Sequence, residues 1–322
     1  MGIKMIIIEV NGGLGNQLQQ YALYEKMKSM GKEVRLDISW YQTRQGQGEA
    51  NELSKRTLEL DYFPGVHYLA CTAEEKRKLL GSSSFFSKAG RKLGLVPKTR
   101  YTEYKMYDEE IFGLNNRVLT GYWACEAYYQ DILPKLQKQL AFPASANPQN
   151  EAVKKEMAAA DSVSIHLRRG DYLTPQNQQM FGGICTDAYY KAAVCYIEER
   201  VNRPHFYVFS DDPKYAKAYF AGMEEEVLNR NGRRPLYSII DINHGKDSFY
   251  DIELMSCCRH NICANSTFSF WGARLNTNPD KLTIRPLKQK NGVDWYQYET
   301  MKKLWKGWIF MDEKGQMGKE NE

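Results

Sequence analysis

The chain begins with an unbroken apolar run, "KMIIIEV", which "NGGLGNQ" ends abruptly. Consecutive isoleucines bounded by glycines predict a strand buried on both faces. From Gln17 to Met30 the spacing changes. Leu18, Tyr21, Ala22 and Leu23 recur at helical intervals in "QLQQYALYEKMKSM", and Gly31 stops the run. "KEVRLDISW" returns to strand character. Strand, helix and strand in succession make a β-α-β unit, which pairs its two strands in parallel. Between Tyr41 and Lys98 the polar runs "QTRQGQGEANE" and "GSSSFFSKAG" break the pattern and predict loops and short helices. "RVLTGYWACEAYY" offers one more strand, followed by an aromatic loop or helix start.

"AFPASANPQNE" (Ala141 to Glu151) is polar and carries prolines, so it marks a domain boundary. Beyond it the pattern restarts. Val163, Ile165 and Leu167 alternate with Ser164, His166 and Arg168, which is strand periodicity. It sends Arg169 to the opposite side from Arg168, and Gly170 ends the strand. "TPQNQQMFGGIC" reads as a long loop, and a helix begins at Thr186 or Asp187, either of which can cap it. Strands "HFYVFSDD", "LYSIIDIN", "NICAN" and "KLTIRPL" then alternate with helices at "PKYAKAYFAG", "DSFYDIELMSCCRH" and "STFSFWGARL". This alternation predicts a second open parallel α/β domain. The expected organisation is an α/β domain over 1–150, another over 151–290, a cleft between them, and an aromatic tail over 291–322 packing across both.

Bulk properties narrow the picture. A length of 322 residues fits two domains, at roughly 100–200 residues each. Hydrophobic content of 43% and charged content of 26% belong to a soluble globular protein. A net charge of +5 is too small for a general nucleic-acid binder, but leaves room for a local basic pocket. The 7 cysteines are scattered, without metal-ligand spacing, and predict reduced thiols in a cytoplasmic protein. The first apolar run is too short for a signal sequence or a membrane span, so any membrane contact would be peripheral.

Four stretches could carry chemistry. In "NGGLGNQ" the glycines let backbone N–H groups approach an anion at a helix start. The dinucleotide fingerprint wants a third glycine, which is missing after Gly13 and Gly15, although Asp37 closes the second strand at a suggestive place. A dinucleotide variant, another ligand loop and plain turn chemistry all remain open. "HLRRGDY" brings His166, Arg168, Arg169 and Asp171 to one strand end, where guanidinium forks suit phosphate but could also anchor carboxylates. "FSDD" places Asp211 and Asp212 at another strand end, for a metal with phosphate, a nucleobase edge or a helix cap. "NSTFSF" sets Asn265, Ser266 and Thr267 at a helix start, as a cap or a phosphate site. In a parallel sheet these three strand ends share one edge. Guanidiniums, carboxylates and a helix N-terminus together suit a sugar nucleotide.

Taken together, "GGLGNQLQQYA", "HLRRGDY", "FSDD" and "NSTFSFWGA" resemble the bacterial α-1,2-fucosyltransferases of glycosyltransferase family 11. The four motifs lie in order between Asn11 and Arg274, most of the chain. The resemblance implies a GT-B-like fold of two Rossmann-like domains, with GDP-fucose bound mainly by the C-terminal one. It also implies transfer to the 2-hydroxyl of a terminal galactose in an oligosaccharide acceptor, with no metal and no cofactor. Arg168 would meet the β-phosphate, Arg169 would be a secondary partner, and His166 with Asp211 or Asp212 would contact guanine. Ser266, Thr267 and Ser269 would serve the phosphates or fucose. Gly13 and Gly15 would line the cleft, with Asn16 reaching fucose or acceptor. One departure stands out: Gln19 occupies a position where the family usually has phenylalanine.

The implied reaction is a single displacement with inversion, in which Arg168 stabilises the departing diphosphate. Asp171 and Glu126 are the candidates for a base on the acceptor hydroxyl. Beside this reading stand another GDP-fucose-dependent linkage, a non-catalytic sugar-nucleotide or glycan-binding protein with a decayed site, against which the intact Arg168, Arg169 and Asp211 speak, and an NAD(P)-dependent oxidoreductase built on the first β-α-β unit. The last leaves "HLRRGDY" unexplained.

Overall fold

The protein's structure, a computed structural model, describes residues 5–42, 56–80, 99–169, 174–232 and 234–318. The chain divides into two units, Met1–Pro143 and Ala144–Glu322. The division falls inside "AFPASANPQNE", because Asn147 already caps a helix there with its side chain on the Gln149 N–H.

In the first unit β1 (Met5–Glu9), α1 (Leu14–Ser29) and β2 (Glu33–Asp37) form the expected β-α-β unit. Helix α1 starts at Leu14, earlier than Gln17. Gly12 makes the sharp exit from β1 with φ of +81°, a conformation that favours glycine. Helix α2 (Ala73–Leu80), β3 (Arg100–Thr102), β4 (Arg117–Thr120) and α3 (Leu133–Gln139) follow. Among the described residues the sheet is four-stranded and parallel, in the order β2-β1-β4-β3. β1 and β4 lie side by side at the centre, so the loops leaving their carboxyl ends are neighbours.

The second unit runs α4 (Pro148–Ala159), β5 (Ser162–Leu167), α5 (Pro175–Phe181), α6 (Asp187–Glu198), β6 (His205–Ser210) and α7 (Pro213–Asn231). It continues through β7 (Leu236–Ile240), α8 (Tyr250–Cys257), β8 (His260–Ile262), α9 (Thr267–Leu275) and β9 (Thr283–Pro286), and ends with α10 (Tyr298–Leu304) and β10 (Trp308–Met311). Its sheet is also parallel, in the order β10-β9-β8-β5-β6-β7. Val163 and Ile165 of β5 and Phe206 and Val208 of β6 pack with Tyr189, Val194 and Ile197 of α6 in one core. Ser164, buried on the same strand, is satisfied by the Asn261 amide at 2.7 Å.

Two expectations change. "TPQNQQMF" is not a loop: Thr174 accepts the Asn177 N–H and opens α5. The tail supplies β10, which pairs with β9 and brings Trp308 and Phe310 into the second unit's sheet. Trp305 packs edge-on against Phe270 at 5.6 Å, and the buried Arg285 guanidinium lies 4.1 Å over Trp305 and 4.2 Å over Phe270. All seven cysteines are free thiols. Among the described residues no helix is long and apolar enough to cross a membrane.

Candidate active site

In the second unit, β5, β6 and β7 run to one side of the sheet, while β8, β9 and β10 fill the other. The switch point lies between β5 and β8, and the crevice outside it is where open α/β sheets take ligands. The residues at the carboxyl ends of β5, β6 and β8 are those of "HLRR", "FSDD" and "NST".

The register fixes their meeting. Leu167 lies opposite Ser210, so the next residues, Arg168 and Asp211, fall side by side. Arg168 Nη1 is 2.7 Å from an Asp211 oxygen, and the other Asp211 oxygen accepts the Arg169 backbone N–H at 2.9 Å. Arg169 Nε is 3.6 Å from Asp212, and its guanidinium stacks 3.6 Å from the centre of the Tyr215 ring. Asp212 also caps α7, accepting the Tyr215 N–H at 3.0 Å. Both aspartates are thus engaged in aiming the arginines and starting α7.

His166 is buried on β5. Burial, with Arg168 beside it, lowers its pKa from 6.5 to about 3, so it is neutral in ordinary buffers. Its Nδ1 has no hydrogen-bond partner among the described residues, and its ring lies 5.8 Å from that of Phe268. A neutral imidazole beside a guanidinium can recognise a ligand without adding charge.

At the end of β8, Ser266 caps α9 by accepting the Phe268 N–H at 3.3 Å. Thr267 is the first residue of the helix, whose N-terminus favours an anion. Asn265 donates to the Phe181 and Gln289 carbonyls and holds this turn in place. Ser269 points elsewhere. Its hydroxyl donates to the Ser266 carbonyl at 3.1 Å inside the helix, and the residue is buried. Asp171 lies outside the described residues.

The first unit builds its edge from amides. The Gln17 side chain donates to the Gly12 and Thr57 carbonyls and accepts the Glu59 and Leu60 N–H groups. Gln20 accepts the Asn11 N–H at 3.1 Å and donates to the Gly121 carbonyl at 3.0 Å, joining the loops after β1 and β4. Tyr41 donates to the Gly12 carbonyl at 3.0 Å. The Asn16 side chain covers Gly12, and a methyl group built on Gly13 would come within 3.3 Å of the Arg56 guanidinium. Gly15 is buried in the first turn of α1, and Glu126 is buried in a short 3-10 turn after β4. Gln19 is fully buried, and neither atom of its amide has a partner among the described residues.

Sequence reasoning missed Gln17, Gln20 and Tyr215. Glutamine is ordinarily a surface residue, so two buried amide clamps in one helix carry no signal in composition or periodicity. Among the described residues, no group of three or more histidine, cysteine or acidic side chains could hold a metal ion.

The profile of glycosyl transferase family 11 matches residues 94–311. The chain belongs to glycosyl transferase family 11. WbnK, an O-antigen biosynthesis glycosyltransferase of Escherichia coli, is 30% identical to it over 306 residues, spanning 87% of this chain and 93% of WbnK. An alpha-1,2-colitosyltransferase of Escherichia coli is 28% identical over 305 residues, 93% of this chain and 95% of its own length. Galactoside 2-alpha-L-fucosyltransferase Sec1 of Mus musculus is 25% identical over 178 residues, 53% of this chain and 45% of Sec1. Among solved structures, a mutant of Arabidopsis thaliana FUT1 in complex with GDP superposes with a TM-score of 0.50 at 14% identity, covering 90% of this chain and 72% of that one. The fold is GT-B-like, α/β with two parallel sheets. As a family 11 member the protein is a glycosyltransferase acting on glycans, which removes the oxidoreductase alternative.

Proposed function

We propose that the protein transfers L-fucose from GDP-fucose to the 2-hydroxyl of a terminal galactose, with inversion and without a metal. The observation that carries this reading is the cluster of Arg168, Arg169 and neutral His166 at the β5/β8 switch point, opposite the α9 N-terminus. A guanidinium and a helix N-terminus can take the two phosphates, and His166 can meet the base without a charge. The family relatives named for galactoside fucosylation and the FUT1 complex with GDP support the same donor class.

In the proposed reaction the acceptor oxygen attacks the anomeric carbon as the bond to the β-phosphate oxygen breaks. The electron pair leaves with GDP. Arg168 meets the charge that grows on that oxygen, and Asp211 holds the guanidinium in the required direction. Such a contact lowers the barrier by about 3–4 kcal/mol. The colitosyltransferase relative, which aligns over nearly the whole chain, favours a second reading that differs only in the donor's sugar.

Incubating the protein with GDP-fucose and lactose in EDTA tests the proposal. The expected product is lactose carrying fucose on the galactose 2-hydroxyl, identified by NMR. Fucose attached elsewhere would overturn the linkage, and GDP-colitose used in preference to GDP-fucose would overturn the sugar.

A further inference from the structure

The face of the second sheet that carries His166 also carries a buried cation that no motif marks. Ile165 of β5 lies opposite Ile262 of β8, and Ile262 lies opposite Ile284 of β9. The Cys263 N–H extends this ladder to the Ile284 carbonyl at 2.8 Å. The residues that follow, His166, Cys263 and Arg285, therefore form one row across three neighbouring strands. Helix α9 covers the row with its first turn. The Cys263 thiol reaches the Ser269 carbonyl at 3.4 Å, the His166 ring lies 5.8 Å from Phe268, and the Arg285 guanidinium lies 4.2 Å from Phe270. Two strand spacings set the Arg285 and His166 backbones about 10 Å apart along the row.

Arg285 is fully buried, and its surroundings leave its charge unbalanced. Its Nε donates to the Pro286 carbonyl at 3.1 Å. Neither Nη1 nor Nη2 has a hydrogen-bond partner among the described residues, and no carboxylate among them pairs with it. Its neighbours are aromatic: Trp305 at 4.1 Å, Phe270 at 4.2 Å and Phe310 at 5.6 Å. Ring faces attract a cation but replace only part of its lost hydration. Burial lowers the Arg285 pKa to about 10, so the side chain keeps its charge in ordinary buffers. A buried charge in this state costs stability, and such costs gather where a ligand is bound.

We infer that Arg285 is a positioning residue of the donor site, a buried charge that strengthens anion binding at the α9 N-terminus from beneath, resting on the nucleotide-sugar reading above. The start of a helix carries partial positive charge, so a cation beside it is unfavourable until an anion arrives. Arg274, in the last turn of the same helix, sits where the dipole favours a cation, 4.8 Å over Trp305. Arg285 lies under the first turn, where the dipole opposes it. Its field crosses the low-dielectric interior with little screening, so a diphosphate at the helix start gains attraction without touching the side chain. The rival role is packing alone, with the guanidinium a flat filler among Phe270, Trp305 and Phe310.

Arg285→Met separates the two roles, because it keeps an unbranched apolar stem and removes the charge. GDP is titrated into wild type, Arg285→Met and Arg285→Lys, and the melting temperature of each free protein is measured. The inference predicts GDP affinity about tenfold weaker in Arg285→Met, with a melting temperature equal to or above that of wild type, because the unbalanced charge is gone. Affinity and stability thus move apart, which a packing role does not produce. Arg285→Lys keeps the charge while losing the planar fork, and is expected to hold GDP affinity within about threefold of wild type. Unchanged GDP affinity in Arg285→Met, a lowered melting temperature or failure of that variant to fold would overturn the Arg285 assignment alone. An equal loss of affinity in Arg285→Lys and Arg285→Met would do the same. Absence of GDP binding by wild type would overturn the underlying reading and this assignment with it.

Discussion

The two units place different chemistries at the carboxyl ends of their strands. Each has a parallel sheet, and each gathers polar residues at those ends. In the second unit these residues are charged: Arg168 and Arg169 are each matched to an aspartate. In the first unit the amides and hydroxyl of Gln17, Gln20 and Tyr41 bond the backbone, and the charged Asp37 and Glu9 are matched to Lys76. An edge of oriented guanidiniums suits a multiply charged diphosphate, whereas an edge of amides and tyrosines suits a neutral sugar.

The largest effect should come from breaking the charged edge. Arg168→Ala is expected to lower transfer by two to three decades, roughly 3–4 kcal/mol, in steady-state kinetics with GDP-fucose. An equal loss in Gln20→Leu would erase the distinction between the edges.

A pH titration of stability sharpens the same contrast. Burial and the neighbouring Arg168 hold the His166 pKa at about 3 in the folded state, below the ordinary 6.5, so the unfolded chain binds the extra proton between those values. Its contribution to stability is complete above about pH 6.5 and is lost as pH falls toward 3, at up to about 1.4 kcal/mol per pH unit. Denaturant midpoints measured across that window should fall more steeply in wild type than in His166→Phe.

Two neighbouring glutamines in α1 should respond with opposite signs. Gln20→Leu strands the Asn11 N–H and the Gly121 carbonyl, and is expected to cost about 1–3 kcal/mol in denaturant melts. Gln19→Leu removes a buried amide that has no partner among the described residues, and is expected to stabilise by about 1–2 kcal/mol. Destabilisation by both would mean that Gln19 also serves the fold.

Much of this was legible in the chain. The run "KMIIIEV", the helix after "NGGLGN" and the alternation beyond residue 150 indicate two parallel α/β sheets, and parallel strands put their motif-bearing ends on one edge. Other features were hidden for physical reasons. Helix α5 is short and polar, so it lacks an apolar stripe, and only Thr174 before Pro175 hints at a helix start. β10 is a four-residue apolar run, WIFM, too short to be told from the aromatic residues around it. Asp211 holding two parts of "HLRR" depends on strand register, which the local spacing of either motif does not contain.

The central claim is that the second unit's charged edge is a guanosine diphosphate site governed by Arg168. Isothermal titration of GDP into wild type and Arg168→Ala tests it most directly. The account predicts saturable one-to-one binding by wild type and an affinity at least about tenfold weaker in the variant, the loss of one charge-assisted contact. Equal affinity in the two proteins, or no binding of GDP by wild type, would contradict it.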